Sequence, residues 1–200
     1  MSRESEFLAK KRKIQKEYTN EYHHPIEKIE QINKILQNKI FDKKFKILEL
    51  FCGNGNLTRE YKKYGIVESY DKICGDEDSY RLFHKLIYNK CQYDLIDLDP
   101  YGFPVRFFPD IYLLIKDGFL IVTISKLKKA NLWTLKLMES YFGVRKPNID
   151  KIIKTICNEG MKHWRFVNLI NFIDLGKVYR ILFSVNRVHA CKFCGTTNRK

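Results

Sequence analysis

Two short stretches carry residue types that chemistry needs. The first, Glu49-Leu50-Phe51-Cys52-Gly53-Asn54-Gly55-Asn56, runs from an acid into a loop with two glycines. Glycine lets a backbone turn tightly and approach a bound group closely. Such a loop can seat a phosphate, seat a cofactor without phosphates, or simply turn the chain. No Gly-Lys-Ser/Thr is present, which excludes a nucleotide P-loop. The third glycine of the dinucleotide fingerprint is also missing, because Asn56-Leu57-Thr58 follows. The second stretch, Asp97-Leu98-Asp99-Pro100-Tyr101-Gly102, puts two carboxylates two residues apart. On an extended chain they point to the same side. A strand interior suits such a pair poorly, so they are expected at its exposed end; a plain turn opened by Asp99-Pro100 is the alternative. A further acid, Asp71, closes another short apolar run.

These residues need elements to position them. Pro25 to Ile40 has apolar residues at 26, 29, 32, 36 and 40, which is helical spacing with Pro25 in the first turn. Strands are then expected at 46–51, 66–70, 93–98 and 119–125. Helices are expected at 57–64, 78–88, 109–116 (closed by Asp117-Gly118), 131–142 and 149–158. This alternation argues for a parallel sheet with helices on both faces. Residues 164–173 and 177–188 break it. They are strand-like runs joined by Asp174-Leu175-Gly176, hence a hairpin that adds one antiparallel strand. Both chemical stretches then lie at carboxyl ends of strands, where open α/β sheets bind ligands.

The chain's 200 residues correspond to one ordinary domain with small appendages. Its net charge of +14 points to a polyanionic partner, nucleic acid foremost. The basic cluster Lys10-Lys11-Arg12-Lys13 and the run Lys126-Leu127-Lys128-Lys129 are candidate backbone contacts, or else solvated charge runs. No signal-peptide core and no bilayer-length apolar run is evident, which implies a cytoplasmic protein and no membrane partner. The six cysteines are scattered, so free thiols or metal ligands are expected rather than disulfides. Cys191-Lys192-Phe193-Cys194-Gly195, with His189 nearby, has a zinc-knuckle form but supplies only three of the four ligands that structural zinc needs. A fourth ligand from elsewhere and a pair of free thiols both remain open.

Glu-Leu-Phe-Cys-Gly-Asn-Gly-Asn resembles motif I of the Rossmann-like S-adenosylmethionine-dependent methyltransferases. Asp-Pro-Tyr-Gly resembles motif IV of those that methylate base amines, in the variant of the tRNA guanine-N2 dimethyltransferase family. The strand Phe119–Ser125, the hairpin and the CxxCG tail add to the likeness, which covers most of residues 46–195. The resemblance implies a doubly wound sheet, with a methyltransferase domain over 25–188 between a basic arm (1–24) and a CxxC tail (189–200). It implies S-adenosylmethionine as cofactor, with zinc a further candidate. Phe51–Asn56 would wrap the cofactor's methionine part and Asp71 would take the ribose hydroxyls, since a carboxylate accepts two parallel hydrogen bonds. Glu49 and Asp97 join this cofactor set; Asp76, Glu77 and Asp78 are candidates for the adenine. Asp99, Pro100 and Tyr101 would form the catalytic group. The carboxylate and the Pro100 carbonyl would accept the amine's hydrogens, and Tyr101 would stack on a base withdrawn from its helix.

The implied function is methylation of an exocyclic base amine, guanine N2 in tRNA or other RNA. The alternatives are a DNA adenine or cytosine amino-methyltransferase, a catalytically silent nucleic-acid-binding module, and an enzyme acting on protein glutamine. The 25 residues at 72–96 leave room for one helix, so the sheet's third strand is expected to be short or absent. Pyrimidine-carbon methyltransferases share the glycine loop, but they need a nucleophilic Cys and a Pro-Arg where Tyr101-Gly102 stand.

Overall fold

The computed structural model describes residues 24–36, 44–71, 78–100, 103–126 and 132–188. Six strands form one sheet: β1 (Phe45–Leu50), β2 (Gly65–Tyr70), β3 (Tyr93–Leu98), β4 (Ile115–Ser125), β5 (Arg165–Asp174) and β6 (Val178–Arg187). Their order is β2-β1-β3-β4-β6-β5. The pairs β1–β2, β1–β3 and β3–β4 are parallel, and β6 runs antiparallel to both β4 and β5. The expected α/β architecture, mostly parallel with one antiparallel strand from the hairpin, is therefore present. β3 pairs directly with β1, and β2 is an edge among the described residues. Among the described residues, no strand stands where the third was expected to be short or absent.

Among the described residues, five helices cover the sheet: α1 (Pro25–Leu36), α2 (Asn56–Tyr61), α3 (Ser79–Tyr88), α4 (Leu132–Phe142) and α5 (Ile149–Lys162). The period-2 alternation of each strand splits the core in two. Ile47, Leu95, Phe119, Ile121 and Leu182 pack with Ile32 and Leu36 of α1 and with Leu57 and Tyr61 of α2. Leu48, Leu50, Ile96, Leu98, Leu120 and Val122 face the other way, onto α3, α4 and α5. No helix of the described residues is long and apolar enough to cross a membrane.

Two local expectations are corrected. The helix expected at 109–116 is absent. Two single turns of 3-10 helix, Val105–Phe107 and Ile111–Leu113, lead into β4, which begins at Ile115. Gly118 therefore lies inside a strand and ends no helix. A Cβ there would lie 2.1 Å from the Asp94 carbonyl oxygen, so the close approach of β4 to β3 requires glycine. The face of α1 also differs. Its buried stripe is Lys28, Gln31, Ile32 and Leu36, while Ile26 is 68 % exposed. Ile40 falls outside the described residues.

Candidate active site

The glycine loop leaves β1 under visible backbone constraint. Phe51 has φ 75°, Gly53 φ 54° and Gly55 φ 72°. A non-glycine residue in that region costs about 1–3 kcal/mol and persists only where its surroundings enforce it. Here they do. The Phe51 and Cys52 amides both donate to the Tyr70 carbonyl, at 2.8 and 3.1 Å. The Gly53 amide donates to Asp71 Oδ2 at 2.8 Å. The acid at the end of β2 thus clasps the loop at the end of β1. No atom lies within 4 Å of a Cβ built at Gly53, so that side of the loop opens into the cleft.

Glu49, Phe51, Cys52, Gly53, Asn54, Asn56, Asp71 and Asp99 share this cleft with Pro25 and Lys28 of α1. Nearly all of the expected cofactor set therefore meets the candidate catalytic acid in one place; Gly55 forms the turn behind it, donating to the Cys52 carbonyl. An open glycine turn, a carboxylate at the neighbouring strand end and an aromatic ring suit a nucleoside-bearing, zwitterionic ligand such as S-adenosylmethionine. Asp78 is engaged elsewhere, accepting from the Tyr80 and Arg81 amides as the cap of α3. Asp76, Glu77, Tyr101 and Gly102 lie outside the described residues, as do Lys10–Lys13, Lys128, Lys129, His189, Cys191 and Cys194.

Asp97 is a correction. It does not stand at an exposed end and it does not line the cleft; it is fully buried. Arg180 of β6 grips it with two bonds, Nη1 to Oδ1 at 3.1 Å and Nη2 to Oδ2 at 2.6 Å. Tyr61 Oη donates to the same carboxylate at 2.7 Å, and Arg180 also donates to Thr123 Oγ1 at 3.0 Å. The reason is register. Glu49 pairs with Asp97, and Thr123 pairs with Arg180, so one face of the sheet carries a row of polar side chains through the core. Burial opposes the Arg180 charge, but Asp97, Tyr61 and Asp99 outweigh it and hold the guanidinium firmly protonated.

Glu49 and Asp99 are opposites. Burial pushes the Glu49 carboxyl up to about 8, with Asp97 adding repulsion, although Thr58 Oγ1 donates to it at 2.6 Å. It carries its proton at neutral pH. Burial also works against ionised Asp99, but the charges of Lys28 and Arg180 and hydrogen bonds from Lys28 and Thr123 prevail. The Asp99 carboxyl titrates below the usual range and stays ionised. Lys28 Nζ lies 2.5 Å from Asp99 Oδ2, and Arg180 Nη1 lies 3.9 Å from it.

Lys28, Thr58, Tyr61, Thr123 and Arg180 were not anticipated from the sequence. One signal for Lys28 was available: it stands four and eight residues before the buried Ile32 and Leu36, on the same helix face.

This sheet, with its loop at the end of β1 and its acid at the end of β3, has the Rossmann-like fold that S-adenosylmethionine-dependent methyltransferases also have. By sequence the chain matches no family model and no curated protein. Solved structures do resemble it. Trm1 from Pyrococcus horikoshii, in complex with S-adenosyl-L-methionine, superposes with a TM-score of 0.55 at 13% identity, over 82% of this chain and 56% of that one. Trm5b from Pyrococcus abyssi gives 0.52 at 13% identity, over 80% and 48%. SMU.776, complexed with SAH, gives 0.52 at 11%, over 77% and 48%. The chain spans about half the length of these proteins, and the likeness is one of fold.

Proposed function

We propose that the chain is an S-adenosylmethionine-dependent methyltransferase acting on an exocyclic amino group of a nucleic-acid base, with guanine N2 in tRNA or other RNA the first candidate. One observation carries the reading. The ionised carboxylate of Asp99 opens into the same cleft as the glycine loop, and it already holds an amine there, that of Lys28. A group that grips one amine beside a cofactor cradle can orient another.

The cofactor supplies an electrophilic methyl group on a sulfonium. Phe51, Cys52, Gly53, Asn54 and Asn56 would hold its amino-acid part and Asp71 its ribose. Asp99 accepts a hydrogen of the target amine and turns its lone pair toward the cradle. Its negative charge also favours the positive charge that develops on nitrogen. Pro100 and Tyr101, next in the chain, fit a second acceptor and a stacking face.

The wider surface agrees with a polyanionic substrate. Lys126 and Lys146 line a second cleft with Phe103, Ser125, Pro147 and Tyr179, next to the end of β4. Lys126 Nζ lies 4.4 Å over the Tyr179 ring and pairs with Asp174. Cations beside aromatic faces suit a nucleic-acid strand.

The test is transfer of labelled methyl from S-adenosylmethionine to total tRNA, with duplex DNA and a no-nucleic-acid control, for the wild type and Asp99→Ala. Label in tRNA that disappears in the variant is the expected result, and nucleoside digestion then names the atom. Label in DNA alone would transfer the reading to the DNA amino-methyltransferases. Label in neither, from protein shown to be folded, would end it.

A further inference from the structure

We infer that Lys28 makes the site answer to an amine carried on a polyanion rather than to a free amine. The inference rests on the function proposed above and adds a specificity-determining residue to it.

The acceptor position at Asp99 is occupied by the chain itself. Lys28 is 3 % exposed, and its Nζ sits against Asp99 Oδ2, the cleft-facing acid. The other groups around this carboxylate are the Arg180 guanidinium and the Thr123 hydroxyl. Lys28 holds Oδ2, so an incoming amine that is to be oriented by that oxygen takes the place of Nζ.

The helix cannot simply leave. Ile32 and Leu36 anchor α1 in the core, and Gln31 Nε2 donates to Asn171 Oδ1 at 2.8 Å. What can move is the lysine side chain, a flexible four-carbon stem ending in a compact charge. Lys28 and Pro25 form the wall of the cleft on the α1 side, so rotation of that stem carries Nζ along the cleft.

Exchange of partners sets the selectivity. A neutral base amine is a poor competitor for a carboxylate already paired with a buried ammonium, because the displaced cation would be left unpaired. A phosphate of the same ligand removes that obstacle: Lys28 moves to the phosphate, Asp99 turns to the amine, and both charges stay partnered. Polyanion binding and amine binding are then coupled, and by linkage each strengthens the other. A free nucleoside has only half of what the exchange requires. No covalent bond is made or broken in it.

The experiment uses the whole chain saturated with S-adenosylhomocysteine. Binding of guanosine and of a short single-stranded oligoribonucleotide containing guanosine is measured by calorimetry and fluorescence anisotropy, over a range of salt. In the wild type, inorganic tripolyphosphate should raise the affinity for guanosine about tenfold, a typical coupling strength. In Lys28→Met, which keeps the stem without the charge, guanosine should bind about as tightly without tripolyphosphate as the wild type does with it, and the coupling should vanish. The salt slope of oligoribonucleotide binding should fall by about one phosphate contact.

The wild-type coupling needs no variant, so a poorly folded Lys28→Met leaves the test intact. If the oligoribonucleotide binds while tripolyphosphate leaves guanosine affinity unchanged, Lys28 is a fixed structural partner of Asp99; this inference then falls and the proposed function stands. If neither RNA nor guanosine binds any form, both fall together.

Discussion

Two carboxyls within one cleft hold different protonation states because their surroundings differ. Burial and the Asp97 carboxylate outweigh the Thr58 hydroxyl and Arg180 at Glu49, whereas at Asp99 Lys28 and Arg180 together outweigh burial. The consequence for Glu49 can be measured. Its folded-state value, about 8, lies above its ordinary value of 4.5. The stability it contributes is therefore fully present below pH 4.5 and is lost as pH rises toward 8. Over that window the unfolded chain has released a proton that the folded chain retains, at up to about 1.4 kcal/mol per pH unit. Glu49→Gln should flatten this slope in urea unfolding between about pH 5 and 8 and be the more stable form at the upper end. Parallel pH profiles for the two proteins would mean that Glu49 ionises normally.

At the scale of elements, pairing across β1, β3, β4 and β6 builds a charged spine through an otherwise apolar core. Arg180 and Asp97 are both wholly buried, so each depends on the other. Removing one partner of such a pair typically costs about 3–5 kcal/mol, whereas replacing both by apolar residues is often close to neutral. Arg180→Leu should lower unfolding stability by about that amount, and Arg180→Leu with Asp97→Leu should recover most of it. A double variant as unstable as the single one would show that Tyr61 and Thr123 require the ion pair itself. The contact between β3 and β4 makes a separate prediction. Gly118→Ala sets a methyl group against the Asp94 carbonyl, a backbone atom that cannot rotate away. We expect a loss of about 1–3 kcal/mol in chemical denaturation, with the fold retained. An unchanged midpoint would mean that the strands separate easily there.

For the molecule as a whole, charge is the dominant property. With a net +14 and a lysine-lined cleft beside the end of β4, binding to a single strand should weaken steeply with salt. Each lysine that neutralises a phosphate contributes about 0.7 to the slope of log affinity against log salt concentration. Lys126→Ala and Lys146→Ala should each lower the slope by about that much, and together by about the sum. Slopes equal to the wild type's would place the strand on another face.

Much of this was local and therefore legible in the chain. The alternation of strand and helix follows from hydrophobic period, and the turn at Gly53-Asn54-Gly55 follows from residue type. Asp71 and Asp99 followed from where apolar runs stop. The lack of a further strand beyond β2 among the described residues agrees with the count over 72–96. The segment at 109–116 failed because Asp117-Gly118 reads locally as a helix stop, while the real demand on Gly118 comes from Asp94 on a neighbouring strand. The partners of the charges were hidden for the same reason. Asp97 meets Arg180 across 83 residues of chain, and Asp99 meets Lys28 across 71. No periodicity records such a meeting, because strand order and register bring it about. The sequence by itself determined most of the elements and the strand ends that line the cleft. Only the tertiary structure decided which carboxylate is neutral, which is sealed in the core, and which faces the cleft with an amine already in its grasp, because a carboxyl's charge depends on what the fold packs around it.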